Sequence, residues 1–266
     1  MKTPTNLTIF SVFHKEYPIP RADYIKPIQV GAALSPIKLG FITDDVGDNI
    51  SERNPTWCEL TALYWIWKNL NQIDTQYIGL VHYRRYFFSL DRVSLLFRSG
   101  KFCEPITYHA SPDLATLNVL SSDSLKNKIT RQLELGRVIV PKSIPLKLNR
   151  RACSLKDQYI YNHIREDWAL MEETVELLYP EYGPTLKQFQ SNTKLYAYNM
   201  FIADKVFVSN YCEWLFPIIF AMEQKIKLSS HAYQSRALGF LAERLFNLYI
   251  WHNRVNVKEF PVLFLD

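Results

Sequence analysis

Cysteine is scarce in this chain of 266 residues, which contains only four. The cysteines lie 45 to 59 residues apart, at Cys58, Cys103, Cys153 and Cys212, without a Cys-x-x-Cys pair or an adjacent histidine. Zinc sites and disulfide frameworks both rely on characteristic cysteine spacings. The sequence therefore indicates neither, and a reducing cytosol is the expected compartment.

Long apolar segments are missing as well. No run of 18 apolar residues occurs, so no transmembrane helix is expected. Residues 1–11 contain too short an apolar run for a signal peptide. The Gly-x-x-x-x-Gly-Lys-Ser/Thr pattern of Walker-type kinases is absent too, which excludes that class of nucleotide site.

The overall composition is that of a folded protein with a mildly basic surface. Apolar residues make up 48% of the chain and charged residues 21%, and we expect one domain spanning residues 1–266. The formal net charge of +5 favours anionic small ligands. It is too small for a protein that coats nucleic acid.

A strand–helix–strand order is predicted for the first third of the chain. Residues 7–13 form an apolar run typical of a core strand, residues 25–34 fit either a loop or a short helix, and residues 40–43 form a second apolar run. Asn54 and Pro55 begin a predicted helix that continues to Leu70 with apolar residues at helical spacing. This order is typical of nucleotide-binding α/β folds.

Residues 77–88 read Tyr-Ile-Gly-Leu-Val-His-Tyr-Arg-Arg-Tyr-Phe-Phe. The first half is typical of a buried strand, and the second half brings His82, Arg84 and Arg85 together among aromatic residues. Ligands bind beyond the carboxyl ends of parallel strands, and guanidinium groups match phosphate and carboxylate oxygens. We expect an anion site here; the alternative is an edge strand whose charged end meets solvent.

Helices dominate the predicted second half. The expected helices are residues 125–135, 159–178, 211–225 and 238–251, with short strands at 136–141 and 199–203. Residues 90–125 are interpreted only as a variable insertion near the site. The expected fold class is α/β, with a Rossmann-type sheet flanked by helices and a mainly helical C-terminal third.

Several blocks of this sequence resemble a family of bacterial capsular and exopolysaccharide biosynthesis proteins that contains galactofuranosyltransferases. The matching blocks include His-Lys at 14–15, Asp-Asp-Val-Gly-Asp-Asn-Ile-Ser at 44–51, Cys-Glu-Leu-Thr-Ala-Leu-Tyr-Trp at 58–65, His-Tyr-Arg-Arg-Tyr-Phe at 82–87 and Tyr-Asn-Met-Phe-Ile at 198–202. The resemblance implies a GT-A-like fold, with a nucleotide-sugar-binding part at about residues 1–145 and an acceptor-side part at about 146–266. It also implies a glycosyltransferase that uses a nucleotide sugar.

Transfer from a nucleotide diphosphate sugar requires that the charge on the departing diphosphate be neutralised. Many GT-A enzymes use an Asp-x-Asp pair that holds a divalent metal at a strand end, whereas this strand end carries arginines. We therefore predict that Arg84 or Arg85 contacts the diphosphate, that His14 and Lys15 help to bind the donor, and that no metal is needed. The alternative for one arginine is a structural pair with an acid such as Glu59.

The acidic loop at residues 44–49 has three open interpretations. Asp44 and Asp45 are predicted to bind the donor through sugar or ribose hydroxyl groups. Together with Asp48 they are also suited to hold Mg²⁺ or Mn²⁺, and the loop composition is equally typical of a plain turn.

An inverting transfer also needs a base for the acceptor hydroxyl. Glu243 is the first candidate, because burial in an apolar helix raises the pKa of a carboxyl group; a buried ion pair is the alternative role. Asp48 and His82 are the reserve candidates. Tyr198 and Asn199 are predicted to line the acceptor pocket.

The predicted function is transfer of a hexose, with UDP-galactofuranose as the preferred donor, onto a lipid-linked glycan. UDP-galactose or UDP-glucose is the alternative donor, and a non-catalytic carbohydrate-binding scaffold is the alternative class. The expected location is cytoplasmic, with a peripheral contact at the inner membrane face.

Overall fold

The computed structural model describes residues 6–89, 107–227, 231 and 233–266. Cys103 and residues 90–106 of the predicted insertion at residues 90–125 lie outside them. The part of the chain that is described folds into a ten-stranded mixed sheet with helices packed against it. This architecture confirms the predicted α/β fold class.

The ten strands of the main sheet come from all parts of the chain. They are β1 (Leu7–Phe13), β2 (Ile25–Gln29), β3 (Ile42–Thr43), β4 (Tyr77–His82), β5 (Arg85–Phe87), β6 (Thr107–Ala110), β7 (Val138–Pro141), β12 (Phe201–Asp204), β13 (Val257–Phe260) and β14 (Val262–Leu265). Four two-residue strands form two small antiparallel sheets, in which β9 (Lys147–Leu148) pairs with β10 (Arg151–Ala152) and β8 (Ile144–Pro145) pairs with β11 (Lys194–Leu195).

Nine α-helices occur in the described residues. They are α1 (Asn54–Trp57), α2 (Leu60–Lys68), α3 (Leu114–Leu120), α4 (Asp123–Glu134), α5 (Leu155–Asn162), α6 (Arg165–Leu178), α7 (Gly183–Phe189), α8 (Lys205–Glu223) and α9 (Ala237–His252). Short 3₁₀ turns precede α1, α7 and α9, at Ser51–Arg53, Pro180–Tyr182 and Gln234–Arg236. The C-terminal third is mainly helical, as predicted, although β12, β13 and β14 return it to the sheet.

The sheet runs in the order β13-β7-β12-β4-β1-β2-β3. Strands β1, β2, β3 and β4 are mutually parallel, and β12 is antiparallel to both β4 and β7. Because β4 lies between β1 and β12, the edge-strand interpretation of residues 77–88 is wrong. Residues 25–34, which were expected to form a loop or a short helix, contain the strand β2, which pairs in parallel with β1.

Gly79 lies where the neighbouring strands of the central sheet leave no space for a side chain. A Cβ atom at this position would lie 2.8 Å from Ile202 Cγ1 and 3.2 Å from Ile9 Cγ1, and both of those side chains are buried. Contacts this short occur because β1 and β12 flank β4 on its two sides. A side chain here is therefore excluded by the neighbouring strands.

We expect Gly79→Ala to lower the free energy of unfolding by about 1–3 kcal/mol, the usual cost of overpacking a core. Gly183→Ala is the matched control, because its added Cβ meets nothing closer than Glu176 at 3.8 Å and its φ is helical. That variant should be neutral or slightly stabilised. Urea denaturation of both variants checks the prediction, and equal stability of the two would contradict it.

Candidate functional site

The sequence His82–Arg85 forms a tight reversal between β4 and β5. His82 pairs with Arg85 across the hairpin, and Tyr83 and Arg84 make the turn. His14 follows the carboxyl end of the neighbouring parallel strand β1. The cluster therefore lies at the carboxyl edge of the sheet, where ligands of open α/β folds bind.

A cavity of about 670 Å³ opens at this edge, a size suited to a small-molecule ligand. Its walls come from the ends of β1 and β4, the α1–α2 junction, the segment before β12, and α9. The side chains that line it and carry polar or aromatic groups are His14, Asn54, Cys58, Glu59, His82, Tyr83, Arg84, Arg85, Gln158, His163, Tyr198, Tyr233, Arg236, Phe240, Glu243 and Arg244.

Four arginines and two glutamates line this cavity, so positive charge prevails in it. Within the described residues, Arg84, Arg85 and Arg236 form no ion pair; Arg244 pairs with Glu243 at 2.9 Å. Arg85 instead packs over the rings of Tyr198 and Phe264, at 4.8 and 5.3 Å. The suggested structural pair between one of the tandem arginines and Glu59 is not formed.

The predicted helix from residue 54 to residue 70 is interrupted at Cys58. Its φ of 53° and ψ of −131° form a backbone conformation that non-glycine residues rarely adopt. The Asn54 side chain, predicted as a helix cap, instead donates to the Cys58 carbonyl at 2.7 Å and holds the break. As a result, α2 restarts at Leu60 and the cavity wall includes Glu59.

Cys58 itself contacts a cavity arginine. Its sulfur accepts a hydrogen bond from Arg236 Nε at 3.0 Å. Burial raises the pKa of the Cys58 thiol to about 11, so the sulfur remains protonated at neutral pH. Cys58 is therefore a packing and positioning residue of this wall rather than a thiolate nucleophile.

A left-handed turn at Tyr198 and Asn199 connects three polar groups of the site. Their φ values are 79° and 50°. The Tyr198 N–H donates to Glu243 Oε1 at 2.6 Å, and the Tyr198 carbonyl accepts from His82 Nε2 at 2.6 Å. The Asn199 amide donates to Glu59 Oε1 at 2.6 Å. Tyr198 lines the cavity, whereas Asn199 lies behind it and contacts its wall.

Two titratable groups of the site have shifted pKa values. Burial lowers the pKa of His82, so the imidazole is neutral, and its Nε2 carries the proton because a carbonyl can only accept. Burial also raises the pKa of the Glu243 carboxyl, while Arg244 and the Tyr198 N–H oppose the increase. Oε1 of Glu243 accepts from the Tyr198 N–H, and Oε2 forms with Arg244 the ion pair that was the alternative to a catalytic role.

The structure brings together six of the predicted site residues: His14, His82, Arg84, Arg85, Tyr198 and Glu243. Sequence reasoning missed Arg236 and Cys58 and considered Glu59 only as a structural acid. A signal was present for Glu59, since an acidic residue that precedes an apolar helix and follows a cysteine has no core role. The backbone break at Cys58, which places Glu59 at the cavity, could not be predicted from the residue types around it.

The acidic loop lies outside the cavity. Asp44 is fully buried and accepts hydrogen bonds from the Gly31 and Ala32 N–H groups and from the Ser51 hydroxyl. The carboxylate is enclosed by its own partners, so the prediction that Asp44 binds the donor gains no support from this position. Asp44 instead ties the β2–α1 connection together.

Three other predicted residues also lie away from the cavity lining. Asp48 accepts from the Tyr64 hydroxyl and approaches Lys68 at 3.4 Å on the exposed side of α2, so its prediction as a reserve base gains no support from this position. Asp45 is absent from the lining, and Lys15 lies over the outer face of the Tyr83 ring at 5.7 Å. The described part of the structure shows no contact of Asp45 or Lys15 with the cavity that would support their predicted role in donor binding.

Within the described residues, no group of three or more His, Cys, Asp or Glu side chains is arranged to hold a metal ion. None of the described helices is both long and apolar enough to cross a membrane.

Residues 8–254 match the family described as "Domain of unknown function (DUF4422)". The chain belongs to this family. The DUF4422 chain is also similar to the apo structure of WbbM, a bifunctional glycosyltransferase, with a TM-score of 0.83 and 32% sequence identity. The similarity covers 98% of this chain and 45% of the WbbM chain, so the DUF4422 chain spans less than half of that protein. No curated protein matches the chain.

We expect Asp44→Asn to destabilise the protein by about 1–3 kcal/mol, because an amide cannot accept three hydrogen bonds with both of its polar atoms. Asp45→Asn is the matched control one residue away and should change the stability by less than about 0.5 kcal/mol. Thermal unfolding of the two variants provides the measurement. A stable Asp44→Asn variant would show that the buried hydrogen bonds do not hold this loop.

Proposed function

We propose that this protein is a glycosyltransferase that moves a sugar from a nucleotide diphosphate donor to a glycan acceptor. The observation that carries the proposal is the group Arg84, Arg85 and Arg236 at the carboxyl edge of a mixed sheet, which form no ion pair with any of the described residues. The similarity over nearly the whole chain to a glycosyltransferase structure supports the same class of reaction.

The arginines suit the chemistry of a diphosphate leaving group. As the bond from the anomeric carbon to the diphosphate breaks, negative charge grows on the leaving oxygens. Arg84, at the exposed turn, and Arg85, over the Tyr198 ring, offer guanidinium groups for these oxygens. Arg236 adds a third guanidinium group to the same cavity lining and is oriented by its hydrogen bond to the Cys58 sulfur.

We propose that this transfer does not need a divalent metal. Among the described residues, the cavity lining includes no aspartate, both oxygens of Glu243 accept hydrogen bonds, and Glu59 has only Oε2 free. A single free carboxylate oxygen is too few to hold Mg²⁺ by itself. Arginines in the same lining supply the positive charge that a metal ion supplies in Asp-x-Asp enzymes. Metal independence is thus supported by the arginines and the few free carboxylate oxygens of the described cavity lining.

An aromatic wall next to the arginines suits the remaining parts of the substrates. Phe240 stacks on His163 with ring centroids 4.3 Å apart, and Tyr233 lies 4.9 Å from Phe240. Flat apolar faces of this kind pack against a nucleobase or against the apolar face of a sugar. Galactofuranose from its UDP donor is the proposed sugar, with inversion at the anomeric carbon.

A lipid-linked glycan is the proposed acceptor, and the cytoplasmic side of a membrane is the proposed location. Ile144 and Leu146 line the cavity, and the β9–β10 hairpin that follows them exposes Lys147, Arg150 and Arg151. A basic surface beside the opening favours contact with an anionic membrane.

We expect UDP to raise the melting temperature of the protein, and the shift to persist in EDTA. Arg84→Ala, Arg85→Ala and Arg236→Ala should each weaken UDP binding about tenfold or more, the usual cost of losing a hydrogen bond to a charged group. Titration calorimetry with UDP measures the three affinities. Arg165→Ala is the control, because Arg165 is exposed at the start of α6, outside the cavity lining.

The outcomes separate the parts of the proposal. Absence of any UDP binding by the wild-type protein would overturn the transferase function. Binding that disappears in EDTA would overturn metal independence alone. Unchanged affinity in all three arginine variants would mean that the nucleotide binds elsewhere.

A further inference from the structure

The carboxylate best placed to accept a proton in the cavity is that of Glu59. Oε1 of Glu59 accepts from the Asn199 amide at 2.6 Å, and Oε2 has no hydrogen-bond partner among the described residues. Glu243 has no such oxygen, because Oε1 accepts from the Tyr198 N–H and Oε2 from Arg244. Of the two carboxylates that line the cavity in the described part of the chain, Glu59 is the one that combines a fixed orientation with an available oxygen.

The backbone around Glu59 contains strained conformations that cost folding free energy. Cys58 has a strained backbone, and both Tyr198 and Asn199 have left-handed φ values. Such conformations persist only where the surrounding contacts hold them, and they concentrate at functional sites. Here the break at Cys58 places Glu59 at the cavity, and the turn at Asn199 supplies the hydrogen bond that fixes its carboxylate.

The Asn199 amide is itself held firmly. It is buried and donates a second hydrogen bond to the Gly239 carbonyl at 3.1 Å. Gly239 lies in α9, and a Cβ there would already be 3.4 Å from the Cys58 sulfur. Helix α9, the turn and the α1–α2 junction thus converge on one carboxylate.

His82 is a weaker candidate for the same task. Its Nε2–H is donated to the Tyr198 carbonyl, and burial makes its imidazole a poor proton acceptor. His82 and Glu59 line the same cavity, and the charge of Glu59 opposes the lowering of the His82 pKa by burial. His82 therefore supports the turn at Tyr198.

We propose that Glu59 is the base of the transfer reaction and that Glu243 and Asn199 are positioning residues. This inference rests on the proposed glycosyltransferase function. The Glu59 carboxylate takes the proton of the acceptor hydroxyl, and the hydroxyl oxygen bonds to the anomeric carbon. The bond from that carbon to the diphosphate oxygen breaks, and its electron pair leaves with UDP.

The test compares Glu59→Gln with Glu243→Gln in the full chain. UDP release is measured with UDP-galactofuranose, UDP-galactose and UDP-glucose, with water as the acceptor, and UDP affinity is measured by calorimetry. Glu59→Gln keeps an oxygen for the Asn199 amide, so its melting temperature and UDP affinity should stay close to those of the wild type. Its kcat should fall about 10²–10⁴-fold, the range for loss of a general base.

The pH dependence of kcat/KM distinguishes a catalytic base from a residue that only positions other groups. The acidic limb of kcat/KM, which reports ionisation of the base, should vanish in the residual activity of Glu59→Gln and remain in Glu243→Gln. Glu243→Gln should instead lower the melting temperature, because it leaves Arg244 buried without its partner.

Three results would overturn the assignment of Glu59: a kcat within about threefold of the wild type in Glu59→Gln, an acidic limb that persists in that variant, or a UDP affinity that falls more than about tenfold. The last result would assign Glu59 to nucleotide binding. A wild-type protein that neither binds UDP nor releases it from any donor would instead overturn the proposed function on which the inference rests.

Discussion

The left-handed turn at Tyr198 and Asn199 is the constraint on which the candidate site depends. Two consecutive non-glycine residues with positive φ cost about 1–3 kcal/mol each. The turn is held by hydrogen bonds to the carboxylates of Glu243 and Glu59 and to the neutral ring of His82. Bonds to charged groups contribute about 1.5–3 kcal/mol each and neutral ones about 0.5–1.5 kcal/mol. The strain and the polar contacts are therefore of similar size, and neither would persist without the other.

This turn also explains how distant parts of the chain meet. It immediately precedes β12, which runs antiparallel to β4, so its residues lie at the edge where β4 ends in His82. Helix α9 packs on the same region and supplies Glu243. A reversed strand in an otherwise parallel neighbourhood thus brings a loop from residue 198 to the carboxyl ends of β1 and β4.

The two groups of acidic residues in this chain have opposite roles. The acidic loop is the denser cluster, yet Asp44 is enclosed by N–H groups and Asp48 faces solvent. The isolated acids Glu59 and Glu243 are the ones in the cavity. Local density of charge in a sequence therefore indicates a well-bonded loop at least as readily as a ligand site.

Much of the frame was predictable from residue patterns. The first strand, the amphipathic helices of the C-terminal third and the placement of His82, Arg84 and Arg85 at a strand end follow from apolar periodicity, which is a local property. Strands β13 and β14 were missed, because short strands near a chain end depend on partners that lie far away in sequence.

The sequence by itself determined the α/β class and the arginine-rich end of β4, since runs of apolar and charged residues encode burial directly. Only the tertiary structure decided which acidic residues line the same cavity as those arginines. The break at Cys58 and the turn at Tyr198 and Asn199 contain no glycine or proline from which they could have been predicted. They exist because contacts between segments more than 100 residues apart, such as that of Asn199 with Glu59, offset their strain.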